Sequence, residues 1–400
     1  MSNVRSLAFC NYVVWKDIQW FWSANFNALF SRNLVSGEVK RWGNYIKHNK
    51  KGNGTAYSNV VLYHDKIIAI PGRERKILIF DLETESFRYI DLKMGFTKED
   101  QNVFFAYAVS DKRLFMIGNE IPYILDFDME SEKILGIVNL GVHIKGRQAY
   151  FRDAVLDKDK LIVPLLDENL VFEIDTDTLQ WTESKVGDSG DGFSAVCKST
   201  DSIWLMPRQK GAVLQWNREN GRITAREIEK EGFRYLPGKN NFHSGHFVGK
   251  RIWIFPFQGN MVLSLDAETG ELVKENAINR YIKALPPGKC VFRAVQAERE
   301  HIFLLCLCKD EWVHMIYDPG TDKLDSSGLK CEMPYEEYLN YLYKAGISTI
   351  REKDFPLESF VGYIAACDIE PKDRFALAEH RFDRADCING CQIWNVVSRS

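Results

Sequence analysis

Residues 67–87 read IIAIPGRERKILIFDLETESF, and this stretch decides the fold. Two apolar runs, IIAI and ILIF, are separated by a short polar segment that begins with Pro-Gly, and the second run ends in an aspartate that opens a polar turn. Apolar runs of this length with turn residues at both ends are typical of buried β-strands. The stretch therefore predicts two antiparallel strands, a tight turn and a further strand that begins near Phe87.

The same order of strand, polar turn and strand recurs along the chain. Five more segments share it: YILDFDMESEKI, VFEIDTDTLQW, VLQWNRENGRI, VLSLDAETGEL and HMIYDPGTDKL, and ALFSRNLVSGEV precedes them all. Each turn opens with Asp or Asn, whose side chain can bind the backbone two residues further on. These anchors are Asn33, Asp81, Asp128, Asp175, Asn217, Asp266 and Asp318, roughly 42 to 52 residues apart, a period typical of repeat architectures built from four-stranded units.

Two further strands complete each repeat. An apolar strand precedes each anchor and begins at Ile18, Ile67, Leu114, Leu161, Ile203, Ile252 and Ile302. An aromatic residue upstream of it marks an inner strand, at Phe9, Tyr57, Phe104, Phe151, Phe193, Phe242 and Phe292. A flat sheet with two apolar faces must stack against its neighbours, and a closed ring leaves only short edges. We predict an all-β, seven-bladed β-propeller of four-stranded antiparallel blades over residues 1–330, with a six-bladed ring as the alternative if the first segment is not a blade.

The turns carry a resemblance to known propeller repeats. DTDTLQW, DLETESF and DPGTDKL share a D-x-x-T turn that resembles kelch repeats, and DAETGEL resembles the turn of quinoprotein-type and YVTN-type propeller repeats. The glycine doublet of kelch repeats is absent, and Pro71, Pro207 and Pro256 lie near its place. The resemblance covers roughly residues 7 to 330 and implies a propeller with a central channel, but it implies no particular chemistry because one fold hosts many activities.

Residues 331–400 break the pattern and form a predicted C-terminal extension packed on the propeller. Helical spacing of apolar residues predicts helices in PYEEYLNYLYKAGIS and DFPLESFVGYIAAC, and a weaker one in RFALAEHRF. GCQIWNVV could add a closing strand to the first or last blade. The extension is either a packed cap or latch, or a lid over one mouth of the channel.

Composition limits the class of partner. The chain has 52 basic and 55 acidic residues and a net charge of −3, which gives no field to attract a polyanion, so we expect no nucleic acid partner. The first thirty residues contain no unbroken apolar segment of a signal peptide, and no run is long enough to span a membrane. Nine cysteines without a framework spacing suit a reducing compartment. We therefore expect a cytoplasmic monomer that has no membrane contact.

The loops that lead into the inner strands converge on one end of the propeller axis. The residues that follow the repeated aromatic positions are Ser58, Asn59, Phe105, Arg152, Asp153, Ser194, His243, Ser244 and Arg293. Two arginines, a histidine and several hydroxyl and amide groups predict a cationic mouth that binds a carboxylate or phosphate, since guanidinium engages such groups bidentately. The alternative is that Arg152, Asp153 and Arg293 tie adjacent blades through ion pairs.

His243 is the candidate catalytic residue, because its ordinary pKa makes histidine a natural general base. The alternative is a histidine that serves only as part of the core. His243 and His246 are three residues apart, which on a regular strand places them on opposite faces and argues against a shared metal. Cys387 and Cys391 lie near His380, but no second cysteine pair follows at zinc-site spacing. No common cofactor or nucleotide motif occurs, so we predict no metal and no cofactor.

Two functions from different classes remain. The leading hypothesis is a non-catalytic binding or scaffold propeller that recognises a protein, a peptide or a small anionic ligand at the axial loop face. The alternative is a lyase, isomerase or hydrolase in which Arg152 and Arg293 hold an anion while His243 moves a proton.

Overall fold

The computed structural model describes residues 5–24, 27–42, 55–94, 102–141, 151–188, 191–228, 232–234, 241–257, 260–273, 276–284, 290–308, 311–328 and 330–331. These residues form seven consecutive antiparallel sheets, each built in chain order from the inner to the outer strand. The prediction of a seven-bladed all-β propeller is confirmed, and the six-bladed alternative is wrong. The predicted extension, including GCQIWNVV, lies outside the described residues.

The first four blades have four strands each. Blade 1 contains Val13–Trp15, Ile18–Ser23, Ala28–Asn33 and Val39–Trp42. Blade 2 contains Tyr57–Tyr63, Lys66–Pro71, Lys76–Asp81 and Ser86–Asp91. Blade 3 contains Phe104–Ser110, Arg113–Gly118, Tyr123–Asp128 and Lys133–Asn139. Blade 4 contains Val155–Asp157, Lys160–Pro164, Leu170–Asp175 and Trp181–Lys185.

The last three blades differ in one respect. Blade 5 contains Phe193–Lys198, Ile203–Pro207, Val213–Trp216 and Ile223–Arg226. Among the described residues, blade 6 has the strands Phe242–Val248, Arg251–Pro256 and Leu263–Asp266. An isolated bridge between Leu265 and Leu272 stands at the place of its fourth strand. Blade 7 contains Cys290–Glu298, His301–Cys308, Glu311–Asp318 and Lys323–Gly328.

The single helix of the described ranges, Ala277–Lys283, connects blades 6 and 7. The Asn276 side chain caps its first turn by accepting a hydrogen bond from the Asn279 backbone N–H at 3.0 Å. The Asn279 side chain in turn binds both backbone groups of Val262 in blade 6. Within the described ranges, no helix has the length and hydropathy needed to cross a membrane.

Each blade buries both faces, which explains its unbroken apolar strands. In the second strand of blade 2, Ile67 and Ala69 pack against blade 1, whereas Ile68 and Ile70 pack against blade 3. Similar buried clusters join every pair of consecutive blades from 1 to 7. The aromatic residues Trp20 and Trp22 of blade 1 lie in this core.

Among the described residues, blades 7 and 1 share no strand and meet through side-chain contacts. The Tyr12 backbone N–H donates to Oε1 of Gln296, on the inner strand of blade 7, at 3.3 Å. The Tyr12 ring meets the Phe303 ring edge-on at 5.6 Å. Beside this seam, Arg5–Ser6 pairs antiparallel with Lys330–Cys331, so both ends of the propeller are joined by a two-stranded sheet. Closure at this seam makes the seven inner strands surround one axis.

The predicted Asp and Asn turns are confirmed in all seven blades. The anchoring side-chain oxygen accepts hydrogen bonds from the backbone N–H groups two and three residues further on, as Asp128 does from Glu130 at 2.9 Å and Ser131 at 2.8 Å. The residue four positions after each anchor has a positive φ. These seven residues are Gly37, Glu85, Glu132, Leu179, Gly221, Gly270 and Asp322. One local geometry therefore sets the hairpin between the third strand and the chain that follows it.

Candidate functional site at the axial mouth

A β-bulge re-aims one residue at the start of five inner strands. The strand register shifts directly after Tyr57, Phe104, Phe193, Phe242 and Phe292, the repeated aromatic residues of blades 2, 3, 5, 6 and 7. The extra residue of a bulge leaves the regular alternation of a strand. With the matching positions of blades 1 and 4, these residues form a set that we call the axial ring: Cys10, Ser58, Phe105, Arg152, Ser194, His243 and Arg293. The bulge also removes the regular alternation on which the opposite-face argument for His243 and His246 depended.

A backbone hydrogen bond that recurs in several blades joins the end of the second strand to the start of the inner strand. The residue before the aromatic offers its carbonyl oxygen to a backbone N–H just beyond the second strand, as Gly192 does to Arg208 at 2.8 Å and Asn241 does to Phe257 at 2.9 Å. Residues that follow the second-strand prolines, such as Arg208 and Phe257, are thereby brought next to the axial ring.

Arg152 lies at the centre of the candidate site. Its guanidinium carbon is 5.0 Å from the centroid of the Phe105 ring and 5.4 Å from that of Phe257. The Phe257 ring is nearly parallel to the His243 ring, with centroids 6.2 Å apart and 12° between the planes. Cation–π contacts on a largely desolvated arginine are worth on the order of 1 kcal/mol each. Together they hold the guanidinium in one place before any ligand arrives.

Positive charge is concentrated at the mouth. Burial lowers the pKa of Arg152, and the charges of Arg293 and Arg208 lower it further, while Cys10 and Asp153 act in the opposite direction. Arg208 is ion-paired with Asp167. Among the described residues, Arg152 and Arg293 have no carboxylate within ion-pair distance, and Nε of Arg293 is buried without a hydrogen-bond partner there. Two guanidinium groups that have no ion-pair partner among the described residues therefore share one end of the axis.

His243 remains neutral at physiological pH. Burial lowers its pKa to about 3, and the charges of Arg152, His246 and Arg293 contribute to the shift. Its Nδ1 lies 3.2 Å from the Ser244 hydroxyl, and its ring also forms a hydrogen bond with the Arg293 backbone. The side chain is half-buried. A histidine with this pKa is a weak general base near pH 7.

Asp153 joins blade 4 to blade 5. Its Oδ2 accepts a hydrogen bond from the Val196 backbone N–H at 3.0 Å, and its Oδ1 accepts one from Ala154 at 2.9 Å. Burial raises the pKa of this carboxyl group to about 7, against the effect of both hydrogen bonds and of the Arg152 charge. Asp153 therefore makes the inter-blade contact that the alternative interpretation proposed for it, but Arg152 does not pair with it at ion-pair distance.

The other predicted ligand-binding residues take different positions. Asn59 donates from Nδ2 to the Phe105 carbonyl oxygen at 2.7 Å, which ties blade 2 to blade 3. The Ser58 hydroxyl donates to Ile70 and the Ser194 hydroxyl to Pro207, each at 3.4 Å and each within its own blade. Both serines are buried. The structure thus groups Arg152, Arg293, His243 and Ser244, whereas Ser58, Ser194 and Asn59 hold the blades that carry them.

Sequence reasoning missed Phe257, Arg208 and Cys10. The sequence does contain a signal for Phe257 and Arg208, since both directly follow the proline that ends a second strand, in IWIFPF and IWLMPR. Cys10 follows Phe9 as Arg152 follows Phe151, and its thiol is free and half-buried. No three metal-ligating side chains come together in the part of the chain that the structure describes.

No family model and no curated protein matches this chain. Among solved structures, virginiamycin B lyase from Staphylococcus aureus superimposes with a TM-score of 0.56 at 12% identity, over 78% of this chain and 98% of the lyase. The extracellular domain of a B. thetaiotaomicron protein described as a hybrid two-component system gives 0.51 at 14% identity, over 78% of this chain and 38% of the other. A chain of the mitotic checkpoint complex gives 0.51 at 14%, over 77% and 86%. These likenesses show a shared propeller fold.

Proposed function

We propose that this chain is a binding propeller that takes a small anion, or an anionic group of a peptide or protein, at its axial mouth. The observation that carries the proposal is the Arg152 guanidinium, held between the Phe105 and Phe257 rings without a carboxylate partner among the described residues. Arg293 adds a second cation within electrostatic range. A guanidinium presents several N–H donors in a planar fork that matches a carboxylate or a phosphate.

Preorganisation supports this assignment. Most of the cost of binding a charged ligand with a flexible arginine is the ordering of the side chain and its partial desolvation. In Arg152 the side chain is already ordered in the free protein, since two rings contact it, and it is already partly desolvated, since burial lowers its pKa. A ligand anion that arrives at the mouth therefore restores favourable electrostatics to a cation that the fold has placed in an unfavourable site.

A lyase, isomerase or hydrolase is the second candidate, because His243 lies beside the two arginines and some structural neighbours are lyases. We rank it second for a chemical reason. General bases work best with a pKa near the operating pH, and the pKa of His243 is about 3. A bound anion would offset the positive charges of the arginines and so raise the pKa of His243. His243 could therefore act as a general base only after the ligand has bound.

The test is anion binding by the purified protein at constant ionic strength. Acetate, oxalate, succinate and phosphate are titrated by calorimetry into the wild type and into Arg152→Met, Arg293→Met and the control Arg222→Met, which alters an exposed turn arginine of blade 5. We expect saturable binding of at least one anion, weakened about tenfold or more by each mouth substitution, as lost charge-assisted hydrogen bonds predict. Equal binding by all four proteins, or no saturable binding, refutes the proposal.

The enzyme alternative is separated by a His243→Asn variant. If the anion is a reactant, incubation with wild type converts it and incubation with this variant does not. Retained binding with no conversion in either protein supports the binding function alone. A cytoplasmic location and a monomeric state stay predictions, to be checked by cell fractionation and by sedimentation.

A further inference from the structure

The two mouth arginines start from opposite sides of the propeller axis. Arg152 precedes the inner strand of blade 4, and Arg293 lies in the inner strand of blade 7. Blades 5 and 6 separate them in one direction around the ring, and blades 1 to 3 separate them in the other. Because the seven inner strands surround one axis, these matching positions lie on opposite sides of the mouth.

The Arg152 side chain crosses the mouth towards Arg293. Its guanidinium carbon lies 5.4 Å from the centroid of the Phe257 ring, which follows the second strand of blade 6, the neighbour of blade 7. The Phe257 ring is nearly parallel to the His243 ring, and the His243 ring forms a hydrogen bond with the Arg293 backbone. Contacts through two rings of blade 6 thus connect the end of the Arg152 side chain with the origin of the Arg293 side chain. The two guanidinium groups converge from opposite blades.

The N–H donors of both guanidinium groups are free of acceptors among the described residues. The Phe105 and Phe257 rings contact Arg152, but no described residue accepts a hydrogen bond from its guanidinium. Nε of Arg293 is buried and also lacks an acceptor there. The Asp153 carboxyl group does not serve as one, because its two oxygens accept backbone N–H groups at the junction of blades 4 and 5. A ligand at the mouth therefore meets two sets of unused donors.

The number and charge of these donors favour one class of anion. Each guanidinium offers a planar fork of N–H groups that can hold two oxygens at once. A carboxylate has two oxygens and one negative charge, so it matches one fork. The phosphoryl group of a phosphate monoester has three terminal oxygens and nearly two negative charges above pH 7, so it matches two. His243 does not alter this balance, since its pKa of about 3 leaves the ring neutral.

We propose that the axial mouth selects a phosphate monoester, whose dianionic phosphoryl group is held by Arg152 and Arg293 together. This inference rests on the proposed anion-binding function and names the class of anion. Two guanidinium groups that converge repel each other, and a dianion between them offsets both charges. A phosphate diester has one charge and one terminal oxygen fewer than a monoester, and a dicarboxylate divides its charge between two groups, so both bind more weakly.

Ligands of matched shape or matched charge test this selectivity. Methyl phosphate and methyl sulfate have the same three terminal oxygens, but at pH 8 the phosphate carries two charges and the sulfate one. Dimethyl phosphate has one charge and two terminal oxygens, whereas malonate spreads two charges over two carboxylates. Each ligand is titrated by calorimetry into the wild type at pH 8 and constant ionic strength. We expect methyl phosphate to bind at least about tenfold more tightly than each of the other three.

The preference for methyl phosphate over methyl sulfate should depend on both arginines. If both hold the same group, each supplies about half of the discrimination on a logarithmic scale. Arg152→Met and Arg293→Met should therefore each reduce a tenfold preference to about threefold. Arg222→Met, which alters an exposed arginine in a turn of blade 5, is the control and should keep the full preference.

Each outcome decides one question. Equal affinity of the wild type for methyl phosphate and methyl sulfate overturns the selectivity and leaves the anion site standing, and this comparison needs no variant to fold. Tighter binding of malonate than of methyl phosphate also overturns it, because the arginines then hold two separate carboxylates. A full preference in both mouth variants assigns it to other groups and has the same consequence. If none of these ligands binds saturably, and acetate, oxalate, succinate and inorganic phosphate are equally inert, the anion site itself is refuted.

Discussion

Replacing Asp153 with asparagine perturbs the stability of the propeller in a way that depends on pH even without a ligand. The pKa of this carboxyl group is about 7 in the folded protein, against an ordinary value of 3.8. Between those two values the folded state binds more protons than the unfolded state. The free energy of unfolding contributed by this group is therefore highest at low pH and is lost as pH rises towards 7.

The size of the effect comes from the shift itself. One pKa unit corresponds to about 1.4 kcal/mol, so a rise from 3.8 to about 7 amounts to on the order of 4 kcal/mol over the whole range. About 2–3 kcal/mol of this loss falls between pH 5 and pH 8. Asparagine does not titrate, and Asn11 makes the equivalent contact in blade 1. Asp153→Asn should thus gain about 2–3 kcal/mol relative to the wild type over this interval.

The assay is urea unfolding followed by tryptophan fluorescence at several pH values from 5 to 8. The lowered pKa of His243 makes acid destabilising, but this histidine is present in both proteins and cancels in their difference. Asp157→Asn is the matched control. Burial pushes the pKa of Asp157 upward, but hydrogen bonds from Lys198 and Arg218 outweigh burial and leave it lowered. Its stabilising contribution is complete above pH 5, so its loss should be the same at every pH tested.

Two results would refute this reasoning. Parallel pH profiles for the wild type and Asp153→Asn would mean that Asp153 is already ionised at pH 5 in the folded protein. A difference that grows in the opposite direction would mean that Arg152 dominates over burial and lowers the pKa of the carboxyl group.

Three further predictions concern the scaffold and the mouth. Gly118→Ala should lower stability by about 2–3 kcal/mol in urea unfolding, because a Cβ there overlaps the Ile121 carbonyl oxygen, whereas Gly211→Ala meets only ordinary contacts and should change little. Asp266→Ala should lower the free energy of unfolding by about 1 kcal/mol, because the hydrogen bonds of the turn are lost. Asp266→Asn should change it little, because two other blades have asparagine at this position. Equal losses of stability in both variants would contradict the turn argument. For the Cys10 thiol, the ratio of the reaction rate with iodoacetate to the rate with iodoacetamide should exceed the same ratio for free glutathione by about threefold or more, because the neighbouring arginines attract the carboxylate of iodoacetate. Peptide mass spectrometry measures this ratio, and a ratio equal to that of glutathione would contradict a cationic mouth.

The blades could be read from the sequence because their signals are local. An Asp or Asn turn is made by one side chain and the backbone three residues away, so the same letters produce the same geometry in all seven blades. The start of each second strand was placed to within one residue, since each is a largely apolar run, and in blades 2, 4, 5 and 6 a proline marks its end. In blade 6 the sequence DAETGEL forms the same turn, and the described residues after it pair with the third strand through the bridge between Leu265 and Leu272.

The mouth could be predicted only in part. The equivalence of positions after the repeated aromatic brought Arg152, His243 and Arg293 together, because a symmetric repeat places matching residues at the same distance from the axis. The same reasoning gave no way to foresee that Ser58 and Ser194 bond within their own blades, or that Phe257 would cover Arg152. A bulge displaces side chains from the simple alternation that sequence arguments assume.

The sequence by itself determined the repeat, the order of the strands within it and the chemistry of its turns, since each depends on neighbours a few positions apart. The tertiary structure alone decided which of the described arginines lack a carboxylate at ion-pair distance and which carboxyl group has a raised pKa. Those properties arise from burial and from contacts such as that between Asn11 and Tyr107, 96 positions apart, and between Asp153 and Val196, 43 positions apart. A pKa is set by everything that surrounds a group in space, and that surrounding exists only once the ring has closed.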